Sequence, residues 1–267
     1  MRFFILFSLI ASSLLYSQST QSDTIKSQYE IIYRLKMVRD TLAKDNVIEE
    51  DLSLLVNGGT SLFKSNKKVV QDSVMMAIGE KAFAAPVNGK VILDMRSVPS
   101  VFFPDEVFAQ NGKQTVFKEF LRNRFVFPLE DKVIWQLDKD TKKIGSYLCR
   151  KAVGKYKNRT YEAWYSSEIP INDGPYIFKG LPGLILEIYD SKKYNTFSMI
   201  SIKKTEKPMV LMTETINTTY PAFLKARQNY LNDPAGTASS RIGGFKLTPE
   251  DIERINSNAR RDNNFID

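Results

Sequence analysis

The chain has 267 residues, 38 Lys and Arg against 30 Asp and Glu for a formal net charge of +8, one cysteine and no histidine. Without histidine, no Ser-His-Asp or Cys-His site and no His-ligated zinc site can form within the chain, and one cysteine rules out an intramolecular disulfide. The basic residues are scattered, apart from Lys203-Lys204 and Arg260-Arg261, which reads as a solvated surface and not as a nucleic-acid footprint.

Arg2, the uncharged apolar run from Phe3 to Tyr16 and then Ser17-Gln18-Ser19 read as a signal peptide over residues 1–19. The run is too short for a membrane span of about 20 residues, and no cysteine follows it to carry a lipid. The expected mature chain, residues 20–267, is a single domain with a periplasmic or secreted location and no transmembrane segment once the leader is removed.

Tyr29, Ile31, Tyr33, Leu35 and Met37 alternate with more polar neighbours, the period of a strand with one buried face. Asp51 to Val56 and Thr60 to Lys64, parted by Asn57-Gly58-Gly59, predict a hairpin. Ser65 to Phe83 predicts a helix with Ser65 as its cap and Val69, Val70, Met76, Ile78 and Phe83 as its apolar positions. From Ala85 to Gly112, Pro86, Pro99 and Pro104 break up the apolar groups, and an irregular insertion is expected there.

Six further runs rich in aromatic and branched residues follow with short polar connectors: Thr115 to Phe127, Lys132 to Leu137, Lys143 to Tyr156, Arg159 to Ser167, Leu184 to Asp190 and Tyr194 to Lys203. Short connectors favour antiparallel neighbours, because parallel pairs need long crossovers. Thr219 to Asn232 returns to a helical pattern. A last helix starts at Thr248-Pro249-Glu250-Asp251, with Thr248 as cap, Pro249 in the first turn and acids at the positive helix end. No repeat of 20 to 50 residues marks an array. The expected fold class is mainly β (α+β): a single antiparallel, strongly curved sheet or half-barrel with a few helices. Cys149 lies inside a strand-like run, which predicts a buried, small apolar role over a reactive thiol.

The stretch from Asn172 to Asp190 puts Gly174-Pro175 and Pro182-Gly183 ahead of an apolar strand. Leu181 to Leu184 fits a type II turn, with Pro182 presetting a negative φ and Gly183 taking a positive one. Leu184 to Asp190 is apolar on both faces, as a central strand would be. Gly180-Leu181-Pro182-Gly183-Leu184-Ile185 spells the signature of the GLPGLI family of the Bacteroidetes. The lead-in resembles that family as well, at Cys149, Lys151-Ala152, Ala163-Trp164-Tyr165, Ile169-Pro170-Ile171 and Gly174-Pro175. Upstream, the Phe63 and Asp72 region is similar. So is the end, Asn263 to Asp267, where Asn264 stands in place of the family's proline. The resemblance runs from about Tyr29 to Asp190. It implies a secreted or periplasmic protein without a settled activity, and it brings a TonB-dependent outer-membrane system into view as a partner.

Trp164, Tyr165, Gly174, Pro175, Gly180, Leu181, Pro182 and Gly183 are the candidate binding residues, since large aromatics beside a glycine-rich turn can wall a ligand; they can equally plug the core. Glu162, Glu168, Asp173 and Glu187 fall near one edge and could in principle support acid-base hydrolysis, but each also reads as a solvated strand-face or turn residue. No catalytic residue, metal ligand or cofactor is assigned. Calcium-loop and phosphate-loop spacings are missing, and Gly243-Gly244 stands alone. Two functions stay open. One is a non-catalytic envelope binding or accessory protein that holds an apolar or extended ligand or docks on an outer-membrane partner; the other is a carboxylate-dependent hydrolase. The balance favours the first.

Overall fold

The computed structural model describes residues 24–86, 91–121, 123–241 and 246–266. The expected leader and Gly243-Gly244 lie outside the described residues. Twelve strands form one open sheet, accompanied by four helices among the described residues. The first six strands are β1 (Tyr29–Val38), β2 (Val47–Asn57), β3 (Thr60–Ser65), β4 (Glu106–Gln110), β5 (Lys113–Phe120) and β6 (Asn123–Pro128). The second six are β7 (Ile134–Ile144), β8 (Tyr147–Tyr156), β9 (Arg159–Ser166), β10 (Leu184–Asp190), β11 (Asn195–Lys204) and β12 (Thr215–Asn217).

The order is β12-β6-β5-β4-β3-β2-β1-β11-β10-β9-β8-β7. Two meanders therefore stand side by side, one from β1 to β6 and one from β7 to β11. They are joined where β1 pairs with β11, Tyr29 opposite Lys204 and Met37 opposite Asn195. The expected all-antiparallel sheet is corrected at one point: β12 runs parallel to β6, with Thr215 opposite Arg124. The reason lies in the path after β11. Residues 205–214 run back across the sheet, with the Met209 amide donating to the Ile25 carbonyl at 2.8 Å and the Met212 amide to Glu106 Oε2 at 3.0 Å. The chain thus reaches the far edge already pointing along β6.

The core lies on one face of the sheet. Ile31, Tyr33 and Leu35 of β1, Leu52 and Leu54 of β2, Phe63 of β3, Ala163 of β9, Ile185 and Ile188 of β10 and Phe197 of β11 are all buried there. Cys149 is buried with them, and burial pushes its thiol above the usual range. A smaller cluster of Leu55, Leu62 and Met209 sits on the opposite face under the returning chain.

The helices are α1 (Asn66–Ala84), α2 (Tyr220–Asn232), α3 (Pro234–Arg241) and α4 (Pro249–Arg261). Ser65, Thr219 and Thr248 cap α1, α2 and α4 with side-chain oxygens, and Thr248 with Asp251 forms a full capping box. Four of the five apolar positions expected on α1 are exposed instead, Val69, Val70, Met76 and Phe83 at 47%, 54%, 68% and 74%, while Ile78 is half-buried. What holds α1 is polar. Lys68, buried in the first turn, reaches Glu119 Oε2 of β5 at 2.7 Å, and Gln71 donates to the Pro99 carbonyl at 2.9 Å. No helix among the described residues is long and apolar enough to cross a membrane.

Candidate functional site

The loop between β9 and β10 carries six of the eight candidate binding residues, and most of it is core. Ile169, Tyr176, Ile177, Phe178 and Leu181 are buried against the sheet. The chain makes three close reversals here, with amide-to-carbonyl bonds from Ile171 to Ile169, Asp173 to Ile171 and Gly183 to Leu181. Each spans only three residues. The expected type II turn is therefore replaced by a tighter γ-turn centred on Pro182. The expected positive φ at Gly183 is present, at 140°.

Gly183 is held against β9 so closely that a Cβ there would stand 2.2 Å from the Ser166 carbonyl oxygen. Gly174 is similarly confined, 2.5 Å from the Phe178 oxygen for the same added atom. The Pro175 carbonyl accepts the Phe178 amide at 3.1 Å, closing a turn in which Tyr176 sits at φ 55°. The loop is tied to the sheet by the Tyr33 hydroxyl, which donates to the Ile185 carbonyl at 2.6 Å, and by the Ile185 amide, which donates to the Asp173 carbonyl at 3.0 Å. Burial, with the Asp173 charge nearby, raises the Tyr33 pKa well above the usual phenol range. Gly180 and Pro182 stand exposed at the tip.

Trp164 and Tyr165 point to opposite faces, as neighbours on a strand must. Tyr165 is in the core. The Trp164 ring lies under Lys142, whose Nζ is 4.4 Å from the ring centroid, and its indole N–H donates to Glu162 at 2.9 Å. Glu162 also accepts the Tyr189 hydroxyl; Glu187 pairs with Lys142 and Asp173 with Lys179. Three of the four acids considered for hydrolysis are thus occupied by donors, and Glu168 is exposed. Asp72 sits in ion pairs with Lys68 at 3.0 Å and Arg124 at 3.4 Å.

A substantial space lies elsewhere among the described residues. A partly open cavity of about 800 Å³ is bounded by the insertion before β4, by β5, by α2 and α4, and by the C-terminal tail. None of the eight sequence-predicted binding residues lines it. Phe102, Phe103, Phe120, Phe223, Tyr230 and Phe265 do, and Phe120 packs edge to face with Tyr230 at 5.4 Å and with Phe223 at 6.1 Å. Each wall has a fixed support. The Phe102 amide donates to the buried Glu50 carboxylate at 2.8 Å, which also takes the Ser65 hydroxyl. The tail is fastened by three consecutive side chains. Asp262 pairs with Arg39, Asn263 accepts the Thr41 amide at 2.9 Å, and Asn264 donates to the Val38 carbonyl at 2.6 Å. Asn264 is buried and uses its amide there.

Every carboxylate on this lining has a cation against it. Asp105 accepts Lys118 Nζ at 2.5 Å and the Tyr176 hydroxyl at 3.1 Å. Asp262 is held by Arg39, and Glu119 by Lys68. The cations also lie over rings, with Arg227 4.1 Å from the Phe265 centroid and Lys118 5.9 Å from that of Phe223. Such a lining offers apolar faces and fixed polar edges, with its carboxylates in ion pairs.

A family model described as a protein of unknown function (Porph_ging) matches residues 154–187, from the end of β8 through the loop into β10. No curated protein matches the chain. Among solved structures, it is similar to PNGF-II in two space groups, at 16% identity in each case. The superpositions cover 74% and 75% of this chain with TM-scores of 0.51 and 0.49. The chain spans about a third of the PNGF-II chain, 32% of its length. At that identity the likeness is one of fold.

Proposed function

We propose that this chain is an exported, non-catalytic binding or accessory protein of the GLPGLI type, with a curved, half-barrel-like sheet and a cavity for an apolar or extended ligand. The observation that carries the reading is the cavity: about 800 Å³, walled by phenyl rings, with its acids already ion-paired. That volume is within the range of small-molecule sites.

Ring contacts support the curvature. Phe63 on β3 and Phe197 on β11 are three strand steps apart, which in a flat sheet would be about 14 Å at roughly 4.8 Å per step. Their ring centroids are 6.1 Å apart, and bending of the sheet toward the core accounts for it. The signature loop then fills the trough and leaves the space beside it for a ligand. Export follows the leader-like residues 1–19, and the resemblance adds an outer-membrane partner of a TonB-dependent system.

Native mass spectrometry of protein recovered from its own cell envelope tests this directly. The expected spectrum carries one non-covalent adduct per chain, which disappears in Phe120→Asp because a charge is then placed among the rings. Bare polypeptide mass in the parent protein, or an adduct that survives Phe120→Asp, would sink the reading.

A further inference from the structure

Tyr176 links the signature loop to the cavity lining by both its ring and its hydroxyl. Its φ of 55° is a left-handed conformation that an aromatic residue adopts only when its surroundings enforce it. Three rings enclose it, Phe103 at 5.2 Å, Phe63 at 6.3 Å and Phe178 at 6.5 Å between centroids. Its hydroxyl donates to Asp105 Oδ2, the same oxygen that accepts Lys118 Nζ. Phe103, Asp105 and Lys118 all line the cavity. The strained turn at Pro175 to Phe178 therefore sets the position of three lining residues at once.

We propose that Tyr176 is the positioning residue of the cavity, and that Lys118 receives the anionic head of an amphipathic ligand whose aromatic or aliphatic body lies on the phenyl rings. This rests on the cavity being a binding site and names the class of its ligand. The chemistry runs through the shared oxygen. A carboxylate oxygen that accepts a phenol hydroxyl divides its charge between two donors, so it neutralises the ammonium less completely than it would alone. Lys118 Nζ lies against the faces of Tyr176 and Phe223, 5.7 and 5.9 Å from the centroids. Those rings keep water from one side of the ammonium, and in such a setting an anion gains more from the charge than it would in bulk solvent.

Two fluorescent probes with the same ring body separate the claims. N-phenyl-1-naphthylamine is uncharged, and 8-anilino-1-naphthalenesulfonate adds a sulfonate. Both are titrated in a Phe83→Ser background, which removes the exposed ring of α1 as a competing surface. The parent is expected to prefer the sulfonate by about tenfold, the scale of one charge-assisted contact. Lys118→Met should erase that preference and leave the uncharged probe bound. Tyr176→Phe, which keeps the ring, should reduce the preference severalfold, and Asp105→Asn should increase it, an opposite sign that general destabilisation does not produce. If the uncharged probe binds but the sulfonate gains nothing, or if the preference is the same in all variants, this inference fails and the cavity reading stands. If neither probe binds, both fail.

Discussion

Replacing Gly183 by valine is expected to cost at least about 3 kcal/mol of stability, the upper end of what backbone strain alone produces. Two effects coincide. At φ 140° the backbone is in a region that branched residues avoid. In addition, the new Cβ would meet the Ser166 carbonyl oxygen at 2.2 Å, the Ser166 carbonyl carbon at 2.6 Å and Ser167 Cα at 2.9 Å, all backbone atoms. No rotamer change can clear them. Either β9 and β10 separate at the Leu184 to Ser166 pairing, or the loop lifts from the core. For a domain of this size, such a loss lowers the unfolding midpoint by about 6 to 12 °C. The check is a calorimetric scan of the variant beside the parent, and an unshifted midpoint would contradict the placement of Gly183.

Leu181→Ala is expected to cost about 2 to 5 kcal/mol, as for a leucine truncated in a packed core. Leu181 is 2% exposed and belongs to the main core cluster. Since Leu181 does not line the cavity, ligand affinity at temperatures below the transition should stay within about twofold of the parent, because distant sites are nearly independent. Chemical denaturation gives the first quantity and probe titration the second. A stable variant that has lost its ligand would make Leu181 a contact residue and overturn the core role.

Much of the fold is legible in local patterns. The alternation at Tyr29 to Met37, the Asn57-Gly58-Gly59 turn and the Thr248 capping box each depend on chemistry within a few residues, and each is found where expected. Leu184 to Asp190 is a central strand with β9 and β11 on either side. Features that depend on distant contacts were not legible. The run from Thr115 to Phe127 splits into β5 and β6 because Leu121 turns the chain at φ 50°, and leucine is not a turn residue. Glu106 to Gln110, expected as part of the irregular insertion, is a strand because β3 and β5 supply partners on both sides. The α1 pattern misled because Val69, Val70, Met75 and Met76 stay exposed.

The site divides in the same way. Gly183 has the positive φ that the Pro182-Gly183 pair suggests. The cavity was hidden because its lining comes from segments far apart in sequence: Phe102 from the insertion, Phe120 from β5, Phe223 from α2 and Phe265 from the tail. Asp105 and Lys118 carry no local signal either. Their pairing, and the Tyr176 hydroxyl that joins them, exist only once the β9–β10 loop is folded onto the sheet.

One titration tests the division between a structural loop and a binding cavity most directly. Leu181→Ala and Phe120→Asp are titrated with N-phenyl-1-naphthylamine beside the parent, and the unfolding midpoint of each sample is recorded. The account predicts opposite losses. Leu181→Ala should unfold at lower temperature and bind as the parent does, whereas Phe120→Asp, at a half-buried position, should unfold near the parent temperature and bind at least about tenfold more weakly. Weak binding by Leu181→Ala at parental stability, with Phe120→Asp binding normally, would place the ligand on the signature loop and contradict the account.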